Sequence, residues 1–482
     1  MNPASISQQD LALAAPEMFM LAATCVVLLV DLFLSDRRRW VTFVLSLVAL
    51  AGASWITATT GFTERTVGWS GTYVADPLSG LLKLVAYGAV AVAFLYGYGY
   101  LQQRRLLKGE YFVLGLFALL GIMVLVSANS LVTLYLGVEL LALSLYAMVA
   151  FNRDSGIAAE AAIKYFVLGS IASGSLLYGM SIIYGVTGSL ELGVVSAAAA
   201  QMEAGQIGLL FGLAFIVVGV AFKFGAVPFH MWVPDVYHGA PTPVTLFLAA
   251  APKLSSFALA FRLLVEGLGS VHAEGWQDMI TLVAVASIVV GNLVAIAQTN
   301  IKRMLAYSTI SHVGFILMGI LAGTSEGYQA ALYYTVTYVL MSVGGFGVII
   351  LLSRGGFEAD SIDDFRGLNA RSPWFAAVML MVMFSMAGVP PFVGFWAKLS
   401  VIQAVLNVDL LWVAIVAVAL SVVGAYYYLR VVKVMYFDEP VDRSALQGSS
   451  AMRFVLSLNG LAVLVLGLFP GMLLALCASV IP

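Results

Sequence analysis

Six basic side chains stand inside long apolar stretches of this 482-residue chain: Lys83, Lys164, Lys223, Lys253, Arg262 and Lys398. Two further ionisable groups share that setting: Glu139 in NSLVTLYLGVELLALSLYAMVAF and His312 in YSTISHVGF, flanked by Ser308 and Ser311. A charge at mid-membrane costs roughly 2.5–3.5 kcal/mol on insertion scales, so each such group needs a partner, water or a function. Burial makes an ammonium easier to deprotonate and a nearby carboxylate reverses the effect. A carboxyl, several lysines and a histidine at one depth are therefore the parts of a proton relay. In that reading Glu139 forms an inter-helix ion pair with Lys223, and moving one relative to the other loads or unloads a proton. Histidine titrates near neutral pH without tuning.

The remaining charges are read more plainly. Lys83 and Arg262 lie within about two turns of a span end, where snorkelling to the interface accounts for them. Lys164 follows Glu160 by one turn and reads equally as a surface i,i+4 pair. His230, Asp235 and His238 lie in the proline-rich connection 229–245, which is ordered enough in its punctuation to cap a broken helix. They read as proton-uptake candidates or as plain solvation.

Composition dictates the elements that hold these groups. The chain is 62% hydrophobic and 10% charged, with a mean hydropathy of +1.00. This excludes a soluble enzyme. Apolar runs fall at 11–34, 40–60, 77–100, 111–127, 130–151, 160–186, 206–230, 242–265, 277–298, 302–323, 328–352, 373–405, 409–437 and 453–479. Each is long enough for a helical crossing. The fold class is all-α: a polytopic membrane protein of about 14 transmembrane helices. Sixteen of the 23 Lys and Arg lie in odd-numbered connections and one, Arg65, in an even-numbered one. Cytoplasmic loops retain positive charge, so both termini are expected on the outer side. The first run lacks a basic leader and a small-residue cleavage site, so it is expected to remain in place.

Prolines interrupt two of the runs. Pro228 follows Lys223, and Pro390-Pro391 precede Lys398. Each removes an amide from the helical ladder, and a break is expected. The fragments GAVPF (225–229) and GVPPF (388–392) occupy matching places five spans apart. The second copy then enters from the opposite face, as in an inverted repeat of spans 4–8 and 9–13, and such broken helices point to an ion site. Lys253 adds a lysine beside Pro252 in span 8.

Several functions are excluded. A net charge of −2 gives no basic footprint for nucleic acid. Cys25 and Cys477 cannot build a disulfide framework, a zinc set or a cluster site. Neither a phosphate-binding GxxxxGK[ST] loop nor a dinucleotide fingerprint is present.

The strings PFHMWVPDVYHGAPTPVT (228–245), IKRMLAYSTISHVGF (301–315) and GVPPFVGFWAKL (388–399), with Lys223 and Lys253 flanking the first, resemble the antiporter-like membrane subunits of respiratory complex I. Lys398 stands where the sibling subunit M typically has a glutamate. The resemblance implies a 14-helix subunit with two inverted five-helix repeats: residues 1–108 as three N-terminal helices, 109–270 and 271–440 as the repeats, and 441–482 as the last helix. It implies proton transfer through Glu139, Lys223, Lys253, His312 and Lys398. It also implies no cofactor in this chain, with flavin, iron–sulfur clusters and quinone in other subunits of the complex. The partners implied are the lipid bilayer and the other membrane subunits, including subunit M and the small subunit K. A subunit of a multi-subunit Na⁺/H⁺ antiporter is the alternative from the same fold. A structural spacer whose charges only hold helices together is the alternative from another class.

Overall fold

The computed structural model describes residues 7–60, 64–202, 206–269, 274–440, 444, 446 and 448–481. In chain order the crossing helices are α1 Ala15–Leu32, α2 Trp40–Thr60, α3 Pro77–Gln103, α4 Gly109–Val126, α5 Leu131–Val149, α6 Gly156–Thr187 and α7 Ile207–Phe224. They continue as α8 Thr242–Ala260, α9 Glu274–Ile296, α10 Ile301–Leu321 and α11 Ser325–Leu352. The last three are α12, split into Pro373–Ala387 and Val393–Leu406, then α13 Leu411–Phe437 and α14 Ser450–Leu468, which resumes after Pro470 as Gly471–Val480. Among the described residues thirteen helices are singly long and apolar enough to cross a membrane, and α12 supplies a further crossing from two shorter pieces. The chain is thus an all-helical polytopic membrane protein.

Local chemistry sets the helix ends. Ser130, Asn300 and Thr324 accept the amides of Thr133, Arg303 and Gly327 and so cap α5, α10 and α11. Asp76 and Ser79 form a reciprocal capping box that starts α3, with Pro77 at its first position. Helix pairs close on small residues. A Cβ on Gly121 would lie 2.5 Å from the Leu141 nitrogen, and one on Gly291 would lie 2.6 Å from that of Ser311, so α4–α5 and α9–α10 pack backbone to backbone. The centre is occupied by α8, α10 and α11, almost wholly buried, while α1, α2, α13 and α14 are only about one-third buried. The helices carrying Lys253 and His312 are therefore the innermost ones.

Polar contacts collect at two ends. At the arginine-rich end, Glu358 binds Arg104 at 2.6 Å and Tyr100 at 2.7 Å, and also accepts from Thr242. Asp235 bridges Lys164 at 2.8 Å and Arg303 at 2.7 Å. At the opposite end a hairpin pairs β1 Thr66–Gly68 with β2 Tyr73–Ala75 in antiparallel register, and a short helix Leu192–Ala200 lies between α6 and α7.

Two expectations are corrected here. Lys83 does not snorkel: its side chain is fully buried, binds Glu17 of α1 at 2.6 Å and donates to Tyr73 at 3.0 Å. Arg262 is fully buried too, where α8 widens into a π-turn over Phe261–Gly267. It binds Asp76 at 2.7 Å and Glu266 at 2.7 Å and donates to the Val126 carbonyl. Acidic partners from other helices and caps reach both cations, so distance from a span end does not decide their setting.

Candidate functional site

The first break begins where α7 ends on Gly225, whose φ of +77° lies in the left-handed region. Its amide and that of Ala226 turn back to the Phe222 and Ala221 carbonyls, a closure that favours glycine. Pro228 prevents the helix from resuming at once, and the chain restarts as the short helix Trp232–Gly239. The carbonyls left over at such an end need donors. Lys253 of α8 donates to the Phe224 carbonyl at 2.7 Å, Ser256 to that of Lys223 at 3.1 Å, and Trp232 to that of Phe222 at 3.2 Å. The Lys223 and Lys253 side chains line one cavity of about 30 Å³ with Tyr165, Pro252 and Ser255. That is room for one or two waters.

The second break repeats the construction. The first piece of α12 ends on Gly388 at φ +88°. The Gly388 amide reaches the Phe384 and Ser385 carbonyls, and the Val389 amide reaches that of Phe384. Lys398, on the second piece, donates to the Ala387 carbonyl at 2.9 Å. In both breaks, then, a lysine takes the carbonyl immediately before the left-handed glycine. The Lys398 ammonium also stands 5.2 Å from the Phe315 ring centre.

His312 lies between the breaks in sequence, on buried α10, and both its ring nitrogens are bound. Nδ1 pairs with Tyr334 of α11 at 2.7 Å and Nε2 with Tyr428 of α13 at 3.0 Å. A neutral imidazole has one donor and one acceptor, so one of these hydroxyls donates while the other accepts. Tyr428 continues to Ser308 at 2.5 Å, and beside it Tyr427 binds Asn292 at 3.0 Å, which binds Ser311 at 2.8 Å. Thr309 pairs with Tyr338 at 2.7 Å. This hydroxyl set is missed by a reading that follows charges. Tyr334 and Tyr338, one turn apart on α11, are the signal that was available.

Glu139 makes no ion pair within 4 Å among the described residues, so a direct contact with Lys223 is not formed. Its Oε1 is buried without a hydrogen-bond partner. Among the described residues no direct hydrogen bond joins Lys253, His312 and Lys398 to one another; they are three islands. Lys164 makes the expected i,i+4 pair with Glu160 and a second pair with Asp235, both at 2.8 Å. His238 stands 3.8 Å from Asp360 at the arginine-rich end, and the buried His230 Nδ1 has no hydrogen-bond partner. Among the described residues no three His, Cys, Asp or Glu side chains come together as metal ligands do.

Residues 128–424 match the family model described as NADH:quinone oxidoreductase/Mrp antiporter, transmembrane. NADH-quinone oxidoreductase subunit N of Thioalkalivibrio sulfidiphilus is 61% identical over 467 residues, covering 97% of each chain. A chain of respiratory complex I from Thermus thermophilus with bound aureothin superimposes with a TM-score of 0.82 at 31% identity, over 96% of this chain and 99% of that one. A chain of the Mrp complex from Dietzia shares the fold, with a TM-score of 0.83 at 20% identity over 98% and 97% of the two chains.

Proposed function

The chain belongs to the NADH:quinone oxidoreductase/Mrp antiporter transmembrane family, and from that premise we propose that it moves protons across the bacterial inner membrane as one subunit of an NADH:quinone oxidoreductase. The observation that carries the reading is the matched placement of Lys253 and Lys398 on the carbonyls preceding Gly225 and Gly388. An ammonium holds a helix-terminal carbonyl by a charge-assisted bond, and the neutral amine holds it less tightly. Protonation and position are thereby linked at each break: the lysine docks with its proton and is released without it.

In the proposed path Lys223 passes a proton through water in the shared cavity to Lys253. His312 relays between its two tyrosines, and Lys398 delivers the proton to the far side. Glu139 sets the charge that Lys223 faces. Its helix also presents Val132, Leu136 and Leu143 outward, which suits a neighbouring membrane subunit; subunits M and K are the partners we assign to the two flanks. Flavin, iron–sulfur and quinone chemistry belongs to other subunits. The basic loops face the cytoplasm and both termini the periplasm. The two repeats run over 109–270 and 271–440, after three helices in 1–108 and before the last in 441–482. Besides the matched breaks, the backbone-to-backbone glycine contacts of α4–α5 and α9–α10 support that division.

The Na⁺/H⁺ antiporter reading has the shared family description and a fold at 20% identity, whereas the 61% relative is named for the oxidoreductase. The test is the intact complex in proteoliposomes, with proton uptake recorded beside NADH oxidation. Lys253→Ala is expected to lower protons moved per NADH with assembly intact. Unchanged stoichiometry in an assembled complex would remove Lys253 from the path, and sodium-dependent transport would return the antiporter reading.

A further inference from the structure

At the arginine-rich end, away from both breaks, a cavity of about 480 Å³ opens between α1, α4 and the end of α5. Its rim carries Lys108, Glu110 and Arg153, and its depth is walled by Leu28, Val113 and Phe117. Phe117 lies nine residues along α4 from Lys108, about 13 Å at the helical rise. The cavity is thus charged at its mouth and apolar below. Among the described residues Lys108, Glu110 and Arg153 make no ion pair with other side chains, although comparable charges at this end, such as Arg104 and Asp235, are paired.

We propose that this cavity binds a zwitterionic aminophospholipid, with the phosphate between Lys108 and Arg153, the ammonium on Glu110 and an acyl chain along Val113 and Phe117. The choice follows from charge. Two cations alone fit any phosphate headgroup, and basic pockets between membrane helices bind anionic lipids. The carboxylate at the same rim repels a lipid with a second negative group and gives the amine of an ethanolamine headgroup its partner. The depth below the rim accepts hydrocarbon and leaves a free phosphate or a hydrophilic peptide without a match.

The test uses the intact complex in proteoliposomes containing phosphatidylethanolamine or phosphatidylglycerol with a photoactivatable acyl chain, the labelled peptides being mapped by mass spectrometry. The wild type is expected to take the ethanolamine lipid on the 109–126 and 15–32 peptides in preference to the glycerol lipid. Lys108→Gln and Arg153→Gln should each reduce that labelling about five-fold, the worth of one basic residue near a headgroup. Glu110→Gln should turn the preference toward phosphatidylglycerol, and Arg37→Gln, outside the cavity, should change nothing. Equal labelling by both lipids in the wild type, unchanged labelling in the Lys108→Gln/Arg153→Gln pair, or label on another subunit's peptide in place of this wall would overturn the proposal. The last result would assign the cavity to a protein neighbour.

Discussion

Lys398 reaches back across its own helix break to hold the Ala387 carbonyl at 2.9 Å, so α12 is closed by a residue that it carries itself. In α7 the same office falls to Lys253 from the next helix. Losing Lys398 therefore removes a proton carrier and leaves a helix-end carbonyl without its donor. Lys398→Ala is expected to slow proton transfer through this subunit by about a hundredfold, the low end of what a positioned proton donor supplies. Lys398→Arg keeps the charge and the donor but cannot release the proton, so it should pump no better. Proton uptake by proteoliposomes during NADH oxidation measures both variants.

Position can be separated from charge at the neighbouring glycine. A Cβ on Gly388 would lie 2.8 Å from Lys398 Cδ, and φ there is +88°. Gly388→Ala is expected to cost about 1–2 kcal/mol for the left-handed backbone and to push the lysine off its carbonyl. Pumping should fall although every titratable group remains. Wild-type pumping in an assembled Gly388→Ala complex would show that docking on Ala387 is incidental.

Glu139→Gln preserves shape and removes the charge that Lys223 faces. Since no direct ion pair is formed, little packing is lost, and assembly on native gels should match the wild type. Pumping should nevertheless drop, because the proposed path loses the carboxylate that answers Lys223. A normal pump rate would reduce Glu139 to a packing residue.

Much of this architecture is legible in the chain. Pro228 and Pro390-Pro391 mark the breaks because a missing amide is a local property. The runs between charged connections mark the crossings because hydrocarbon thickness fixes their length. The environments of the charges are less legible. Lys83 and Arg262 looked like snorkelling residues because their partners, Glu17 and Asp76, come from other helices or caps. The π-turn at Phe261–Gly267 leaves no such mark in the chain, whereas the interruption of α14 at Pro470 is as local as the other two breaks. Glu139 illustrates the converse: a lone carboxyl announces that it needs an answering charge, but whether that charge touches it is decided by helix placement.

Tyr334 and Tyr428 give separate access to the two nitrogens of His312. Tyr428→Phe removes the partner of Nε2 and of Ser308; Tyr334→Phe removes that of Nδ1. Tyr334→Phe leaves one buried polar atom without its partner and Tyr428→Phe leaves two, at about 1–3 kcal/mol each. If His312 relays through both nitrogens, each variant should lower pumping while NADH oxidation by the intact complex continues. Loss with Tyr428→Phe alone would confine the route to α10 and α13.

The final prediction concerns stability at the end opposite the arginine-rich one. Burial pushes the Asp76 carboxyl up, but the Arg262 guanidinium and the Ser79 amide outweigh it and hold the group below the usual carboxylate range. A group depressed on folding stabilises the native state above its unfolded value, about 3.9 for aspartate. That contribution is lost as pH falls through the lower folded value. The melting temperature of the solubilised complex should therefore fall in acid, and Asp76→Asn should flatten that part of the profile. Arg262→Met leaves Asp76 and Glu266 without their buried cation and is expected to cost about 3–5 kcal/mol. Adding Asp76→Asn to Arg262→Met should recover part of that loss, since an amide tolerates burial where an uncompensated carboxylate does not. A double variant no more stable than Arg262→Met alone would mean that the guanidinium acts chiefly through the Val126 carbonyl and Glu266.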